Sequence, residues 1–333
     1  LIGVLEYIPY YSTEKKHDQA CISFLKRVGE NLEEDGLLVI AIENKLGAKY
    51  FTGCVEDHNG QLFSGIHGYP DKSPITFSRI EMKNILETAG FNNMQFYHCF
   101  PDYKMTKVVL QENEDMYELD VASIARGIVV DYASQREYLM ADPLLIDSLT
   151  RAKLLHEFSN SFLIVCSKSP DLNLKTKQLA IKFSNDDNVM ECYHHKINFM
   201  KEDGGIHIAR KRLEYEGRKV EKDNLYFNLR DEIMTKGETL SLEAYRSLFR
   251  KDEYLSLIEL TREVKTFIRD EFSVDKTDNS NYRMLKGQAI DCCFNNLIRD
   301  VNGDLIFIDR KWKYKTNIPE DYVIFRSLLG LFS

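Results

Sequence analysis

Apolar and polar positions in the first third of the chain alternate in blocks that suit an α/β sheet. Residues 1–7 read as an apolar strand, and residues 15–33 follow with Ala20, Ile22, Phe24, Leu25, Val28 and Leu32 near helical spacing. Asp35-Gly36 is a turn signal, and residues 37–42 form an unbroken apolar run of the kind a central strand carries. Beyond a long glycine-containing loop, residues 76–81 have the signature of a capped helix start, with Ser78 as the cap and Gly90 as the stop. Residues 94–98 and 107–110 then read as two closing strands around the loop at 100–104.

The texture changes along the rest of the chain. Residues 111–157 are charged and helical in pattern, with helices expected at 121–131 and 143–156. Residues 162–166, 178–183, 190–198 and 206–212 are four short strand-like runs separated by polar turns, among them Asp203-Gly204-Gly205. A helical region is expected from about 216 to 272, broken near Lys236-Gly237. Strands at 297–299 and 305–309 flank the turn at 301–304.

With 333 residues, 44% of them hydrophobic, the chain has enough material for two domains with separate cores. A net charge of −8 argues against a duplex nucleic-acid binder, which needs a basic face to neutralise phosphates. Seven cysteines, odd in number and without a Cys-x-x-Cys pair, suggest free thiols in a reducing compartment rather than a disulfide framework or a zinc site. No apolar run reaches the roughly 18–20 residues a membrane helix needs, and no basic-then-apolar signal peptide opens the chain, so a cytoplasmic protein is expected. Both ends read as cuts through folded structure, which makes the chain a fragment by expectation.

Leu-Ile-Gly-Val-Leu-Glu-Tyr-Ile-Pro-Tyr-Tyr from residue 1 resembles the fourth strand and following loop of class I S-adenosylmethionine-dependent methyltransferases found beside polysaccharide-synthesis enzymes. The match continues through the segment 35–47, Glu56-Asp-His58, Gly68-Tyr-Pro70, Thr76-Phe-Ser-Arg79 and Phe100-Pro-Asp-Tyr-Lys104. The resemblance implies that residues 1–112 are the C-terminal half of a Rossmann-like domain, with S-adenosylmethionine as cofactor and a glycan or sugar-phosphate as acceptor. It puts Glu6 and Tyr7 near donor or acceptor, and it offers His58 and His67, flanking the long loop after Asn44, as candidate bases. Asp102, Tyr103 and Lys104 form a polar cluster between the closing strands, on the acceptor side. The glycine-rich loop that holds the donor in such enzymes has no counterpart here, since no Gly-x-Gly-x-Gly occurs.

A second constellation lies near the other end. Asp291, Asn296 and Asp309 have the spacing that kinase-like phosphotransferases use, the first orienting an acceptor hydroxyl and the other two holding Mg²⁺ on the phosphates of ATP. Asn296 and Asp309 are therefore the candidate metal ligands. The segment from Ile290 through Trp312 to Arg326 also resembles the C-terminal part of the same polysaccharide-linked proteins, some of which join a methyltransferase to a kinase-like domain. That implies a helical connection at 113–157 and an α+β kinase-like domain at 158–333, its small lobe at about 158–235 and its large lobe at about 236–333. Lys211, followed by a helical stretch with Glu216 and Glu221, is the preferred phosphate-binding lysine, and Lys182 in Leu-Ala-Ile-Lys is its rival. Three departures stand out: Ala289-Ile290 precedes Asp291 where a His-Arg is usual, no loop with two or three glycines lies between the first small-lobe strands, and the basic pair Arg310-Lys311 follows Asp309. Beside the methyltransferase, two other functions are therefore open, a glycan kinase and a non-catalytic glycan-binding protein.

Overall fold

The structure, a computed structural model, describes all residues except 70–72, 126–130, 132–135, 175, 186–188, 214–223, 253, 275–281 and 332–333. It is mixed α and β, with largely antiparallel sheets, and divides into two compact units, Leu1–Lys182 and Phe183–Ser333.

In unit 1 the expected opening strand is only three residues long. Ala41 N donates to Leu1 O and Gly3 N to Ala41 O, both at 3.0 Å, so residues 1–3 run parallel to β1 (Leu38–Glu43) before turning into a short 3₁₀ helix, Leu5–Tyr7. Gly3 makes that turn possible: its φ is +61°, and a Cβ there would lie 2.8 Å from the Tyr103 hydroxyl. Helix α1 (His17–Glu30) then buries Ala20, Cys21, Ile22 and Leu25, close to the expected periodicity. Helix α2 (Arg79–Ala89) begins with a complete capping box, Ser78 with Glu81, and ends on left-handed Gly90.

β2 (Asn93–Phe100) and β3 (Val108–Gln111) form the expected closing hairpin. After α3 (Asp142–Arg151) comes β4 (Ser161–Ser167), which pairs antiparallel with both β1 and β2 and so lies between them. β5 (Gln178–Ser184) adds to β3. The run at 162–166, expected to open the kinase-like domain, therefore closes the first sheet instead. Residues 113–182 belong to unit 1, and the division between the two compact units falls after Lys182. One core, from Leu5 and Leu25 through Ile40, Ile42, Met82, Leu86 and Phe91 to Phe162 and Ile164, packs both helices on the sheet.

Unit 2 begins with the hairpin β6 (His195–Glu202) and β7 (Gly205–Arg212), turned by Asp203-Gly204 as such a pair predicts. Where helix was expected from 216, the described residues instead give three short strands: β8 (Leu225–Phe227), β9 (Glu232–Ile233) and β10 (Glu238–Thr239). The apolar run at 225–227 is too short for its period to be read, and it finds its partner more than eighty residues on, in Trp312–Tyr314. Helices α4 (Leu240–Leu248) and α5 (Leu255–Phe272) follow. β11 (Met284–Leu285), β12 (Leu297–Arg299), β13 (Leu305–Phe307), β14 (Trp312–Tyr314), β15 (Ile318–Pro319) and α6 (Glu320–Leu329) complete the unit. Its core joins α4, α5 and α6 around Phe294, Leu297 and Phe307.

Candidate functional site

Four separate segments of unit 1 bring charged groups to the carboxyl ends of residues 1–3 and β1. The 3₁₀ turn after Gly3 carries Glu6 inward, where it is 1% exposed, and leaves Tyr7 half-exposed. Glu43 ends β1 and is fully buried. The loop after the one-turn helix Ala48–Phe51 supplies Glu56, Asp57 and His58. Past β2, Asp102 Oδ1 accepts from the Lys104 and Met105 amides at 2.8 and 2.9 Å, a turn from which Lys104 Nζ reaches within 2.5 Å of Glu43 Oε1.

The hydrogen bonds sort these groups. Lys49, whose side chain is wholly buried, gives its ammonium to both oxygens of Asp57 at 2.8 Å, and Lys104 adds a third bond to Asp57 at 3.1 Å. Glu56 accepts from the His58 and Asn59 amides and meets His58 Nδ1 at 2.9 Å, which fixes the imidazole and turns Nε2 toward Glu6 Oε1, 4.0 Å away. The Tyr7 ring stands edge-on to His58 at 5.6 Å. Glu6 Oε2 and Glu43 Oε2 are buried without a hydrogen-bond partner, and Glu43 Oε1 has the Lys104 ammonium 2.5 Å away.

Burial pushes the Glu6 carboxyl up to about 7, helped by the nearby charge of Glu43. For His58 burial acts downward, but the hydrogen bond and charge of Glu56, with Glu43 and Glu6 behind it, outweigh it and hold the imidazole above its ordinary value. Burial, reinforced by Glu43 and Glu6, also raises the Tyr103 phenol. A buried carboxyl able to exchange a proton near neutrality, beside an oriented imidazole, is equipped to hold a hydroxyl and take its proton.

Of the residues singled out from sequence, Glu6, Tyr7, His58 and the Asp102–Lys104 turn come together. His67 does not: it is exposed on the turn after Phe63, where its amide bonds to Phe63 O. Glu43, Lys49, Glu56 and Asp57 were not assigned a role from sequence. Glu43 has one local signal, an acid directly abutting an apolar strand. A cavity of about 620 Å³ lies between the start of α1 and α2, lined by Lys15, Lys16, Lys45, Tyr69 and Thr76 among others and by none of the cluster's charged groups.

In unit 2 the β12–β13 hairpin brings Asn296 and Asp309 to one end, where Ile308 N donates to Asn296 O at 2.9 Å. Asp291 is buried nearby, with Oδ2 lacking a partner, and burial raises its carboxyl to about 6. The Asn296 amide donates to the Asp291 main-chain oxygen at 2.9 Å. Asp309, at φ +50°, has Lys311 Nζ on Oδ2 at 2.7 Å and Arg210 Nε 3.1 Å from Oδ1. The cation that β7 directs at Asp309 is thus Arg210, not Lys211, which is exposed; adjacent strand residues point to opposite faces. Glu216 and Glu221, the proposed partners of Lys211, lie outside the described residues, and Lys182 pairs with Val108 in the sheet of unit 1. As arranged, Asp309 offers Mg²⁺ no open carboxylate, because both oxygens face cations of the chain itself.

No helix among the described residues is long and apolar enough to cross a membrane. No protein-family model, curated protein or solved structure matches the chain.

Proposed function

We propose that unit 1 is the acceptor-facing half of a Rossmann-like, S-adenosylmethionine-dependent methyltransferase acting on a hydroxyl of a sugar or sugar-phosphate. The observation that carries the proposal is the meeting of Glu6, Tyr7, His58 and Lys104 at the carboxyl ends of the parallel segment 1–3 and β1, the edge where open α/β sheets bind ligands. The topology supports it too. Residues 1–3, α1 and β1 make a parallel crossover, β1 and β2 are parallel to each other across β4, and both helices pack in one core.

Glu6 and Tyr7 are what this chain would contribute to a donor site; the glycine-rich part of such a site is not in the sequence. Bound S-adenosylmethionine supplies an electrophilic methyl group. The residues here would orient the acceptor and handle its proton: His58 would position the hydroxyl, and a carboxylate oxygen of Glu6 would receive the proton it gives up. The seven cysteines, all free, support a reducing, cytoplasmic setting, in which polysaccharide-synthesis enzymes are the natural partners.

The test is transfer of labelled methyl from S-adenosylmethionine to oligosaccharides by the full protein. Glu6→Gln and His58→Ala are expected to lower the rate by roughly 10²–10⁴-fold with little change in donor affinity. A well-folded protein whose melting temperature does not respond to S-adenosylmethionine would remove the proposal.

A second activity, ATP-dependent phosphotransfer to the glycan in a kinase-like unit 2, has one observation in its favour: Asp291, Asn296 and Asp309 gather at one end of a hairpin. The pairing of Asp309 with Arg210 and Lys311 stands against a metal there. Calorimetric titration separates the cases: ATP binding that requires Mg²⁺ and is lost in Asp309→Asn supports a kinase, and metal-independent or absent binding supports a glycan-binding role without turnover.

A further inference from the structure

With Glu6 ionised, the unit 1 cluster carries more negative than positive charge. Glu6, Glu43, Glu56 and Asp57 are buried or nearly so, against two lysines, Lys49 and Lys104, and one imidazole. Lys49 is committed to Asp57, and Glu56 is satisfied by two amides and His58. Lys104 pairs with Glu43 and is also held by Asp57, while Glu6 faces the His58 imidazole at 4.0 Å. A buried carboxylate without a full counter-charge is costly, and it is relieved either by a proton or by a bound cation.

Three groups here are arranged to hold one. A carboxylate oxygen from each of Glu6 and Glu43 and a ring nitrogen of His58 lie within 4.8 Å of one another. Ligands around a small cation at about 2.1 Å sit roughly 3–4.2 Å apart, so modest side-chain rotations close the set. His58 is already oriented for the task, because Glu56 occupies Nδ1 and leaves Nε2 facing the carboxylates, the carboxylate–imidazole support common behind metal ligands. Glu6 Oε2, buried and unpartnered, is a ligand atom in waiting. Lys104 has an alternative anchor in Asp57, 3.1 Å from its ammonium, when a cation displaces it from Glu43.

We propose that Glu6, Glu43 and His58 hold a divalent cation of the Mg²⁺ or Mn²⁺ class, whose remaining positions take neighbouring hydroxyls of the sugar acceptor. Two carboxylates and one imidazole suit such hard to borderline ions better than a thiolate-seeking one. This rests on the methyltransferase proposal for its substrate and not for the metal itself.

Mn²⁺ alone, titrated into the full protein and followed by loss of the free-ion electron paramagnetic resonance signal, is the probe. One site is expected. Its dissociation constant should rise tenfold or more in Glu43→Gln and in His58→Ala, and stay unchanged in Glu87→Gln, an exposed carboxylate on α2. Circular dichroism checks that each variant is folded, and His58→Ala, nearer the surface, decides if Glu43→Gln is not. Absence of saturable Mn²⁺ binding, or binding indifferent to both variants, overturns the metal site even where methyl transfer persists in chelator. Mn²⁺ bound at these residues without methyl transfer upholds the site and removes the methyltransferase proposal instead.

Discussion

Removing the Asp57 charge should destabilise unit 1 more than any ordinary surface change, because Lys49 would be left behind. The Lys49 side chain is 0% exposed and that of Asp57 3%, and both carboxylate oxygens lie 2.8 Å from the ammonium. Breaking one partner of a buried pair costs about 3–5 kcal/mol, whereas replacing both by apolar groups of similar size is often neutral. In a unit of this size each kcal/mol moves the melting temperature by about 2–4 °C, so Asp57→Asn should lower it by roughly 6–20 °C. The double variant Lys49→Met/Asp57→Leu should recover most of that loss, since Lys104 keeps Glu43 as its partner. Thermal unfolding gives the shift, and hydrogen exchange followed by mass spectrometry on peptides from residues 1–182 assigns it to unit 1. The reasoning fails if Asp57→Asn costs under about 1 kcal/mol, or if the double variant is no more stable than the single one.

Three further expectations concern other parts of the chain. For Glu112, burial acts upward but His98 and Arg79 outweigh it and hold the carboxyl down at about 2, below its ordinary 4.5. It therefore contributes stability above pH 4.5, up to about 3 kcal/mol, that is lost as pH falls toward 2, and Glu112→Gln should flatten acid unfolding in that window. Ser78→Ala removes the α2 capping box and should cost about 1 kcal/mol in denaturant unfolding, with Ser78→Gly costing less. In unit 2, a Cβ on Gly287 would lie 2.1 Å from Tyr314 O and 2.6 Å from Thr316 O, so Gly287→Ala should cost about 1–3 kcal/mol or more through backbone displacement, measured by the same unfolding assay.

What the sequence made legible was local. Ser78, Glu81 and Gly90 delimit α2 because caps are written within a few residues of the helix ends, and Asp203-Gly204 marks its hairpin for the same reason. The partner of β4 was not legible. An apolar run such as 162–166 carries no label saying which sheet it will join, and its neighbours β1 and β2 lie over sixty residues away. Residues 225–227 failed similarly, being too few to show a period. Arg210 was missed in favour of Lys211 by one step of strand phase, which is all that separates the two faces of β7. In unit 1, Glu6, Tyr7 and His58, which the structure brings together, were singled out from the sequence; Glu43 was not, because an acid at a strand end is ordinary until packing buries it.

The two carboxylate clusters differ in a way that charge accounting alone explains. Near Asp309 the chain supplies its own cations: Arg210 and Lys311 face the two oxygens of a single carboxylate, so a metal would have to displace both. Near Glu6 the arrangement runs the other way: Lys104 is divided between Glu43 and Asp57, and Glu6 faces the His58 imidazole at 4.0 Å. The spacing of Asp291, Asn296 and Asp309 drew attention to metal binding in unit 2, yet spacing reports only which ligands are present, not what already occupies them. Counter-charge decides the matter. It points to a cation between Glu6, Glu43 and His58, in the unit where sequence spacing suggested none.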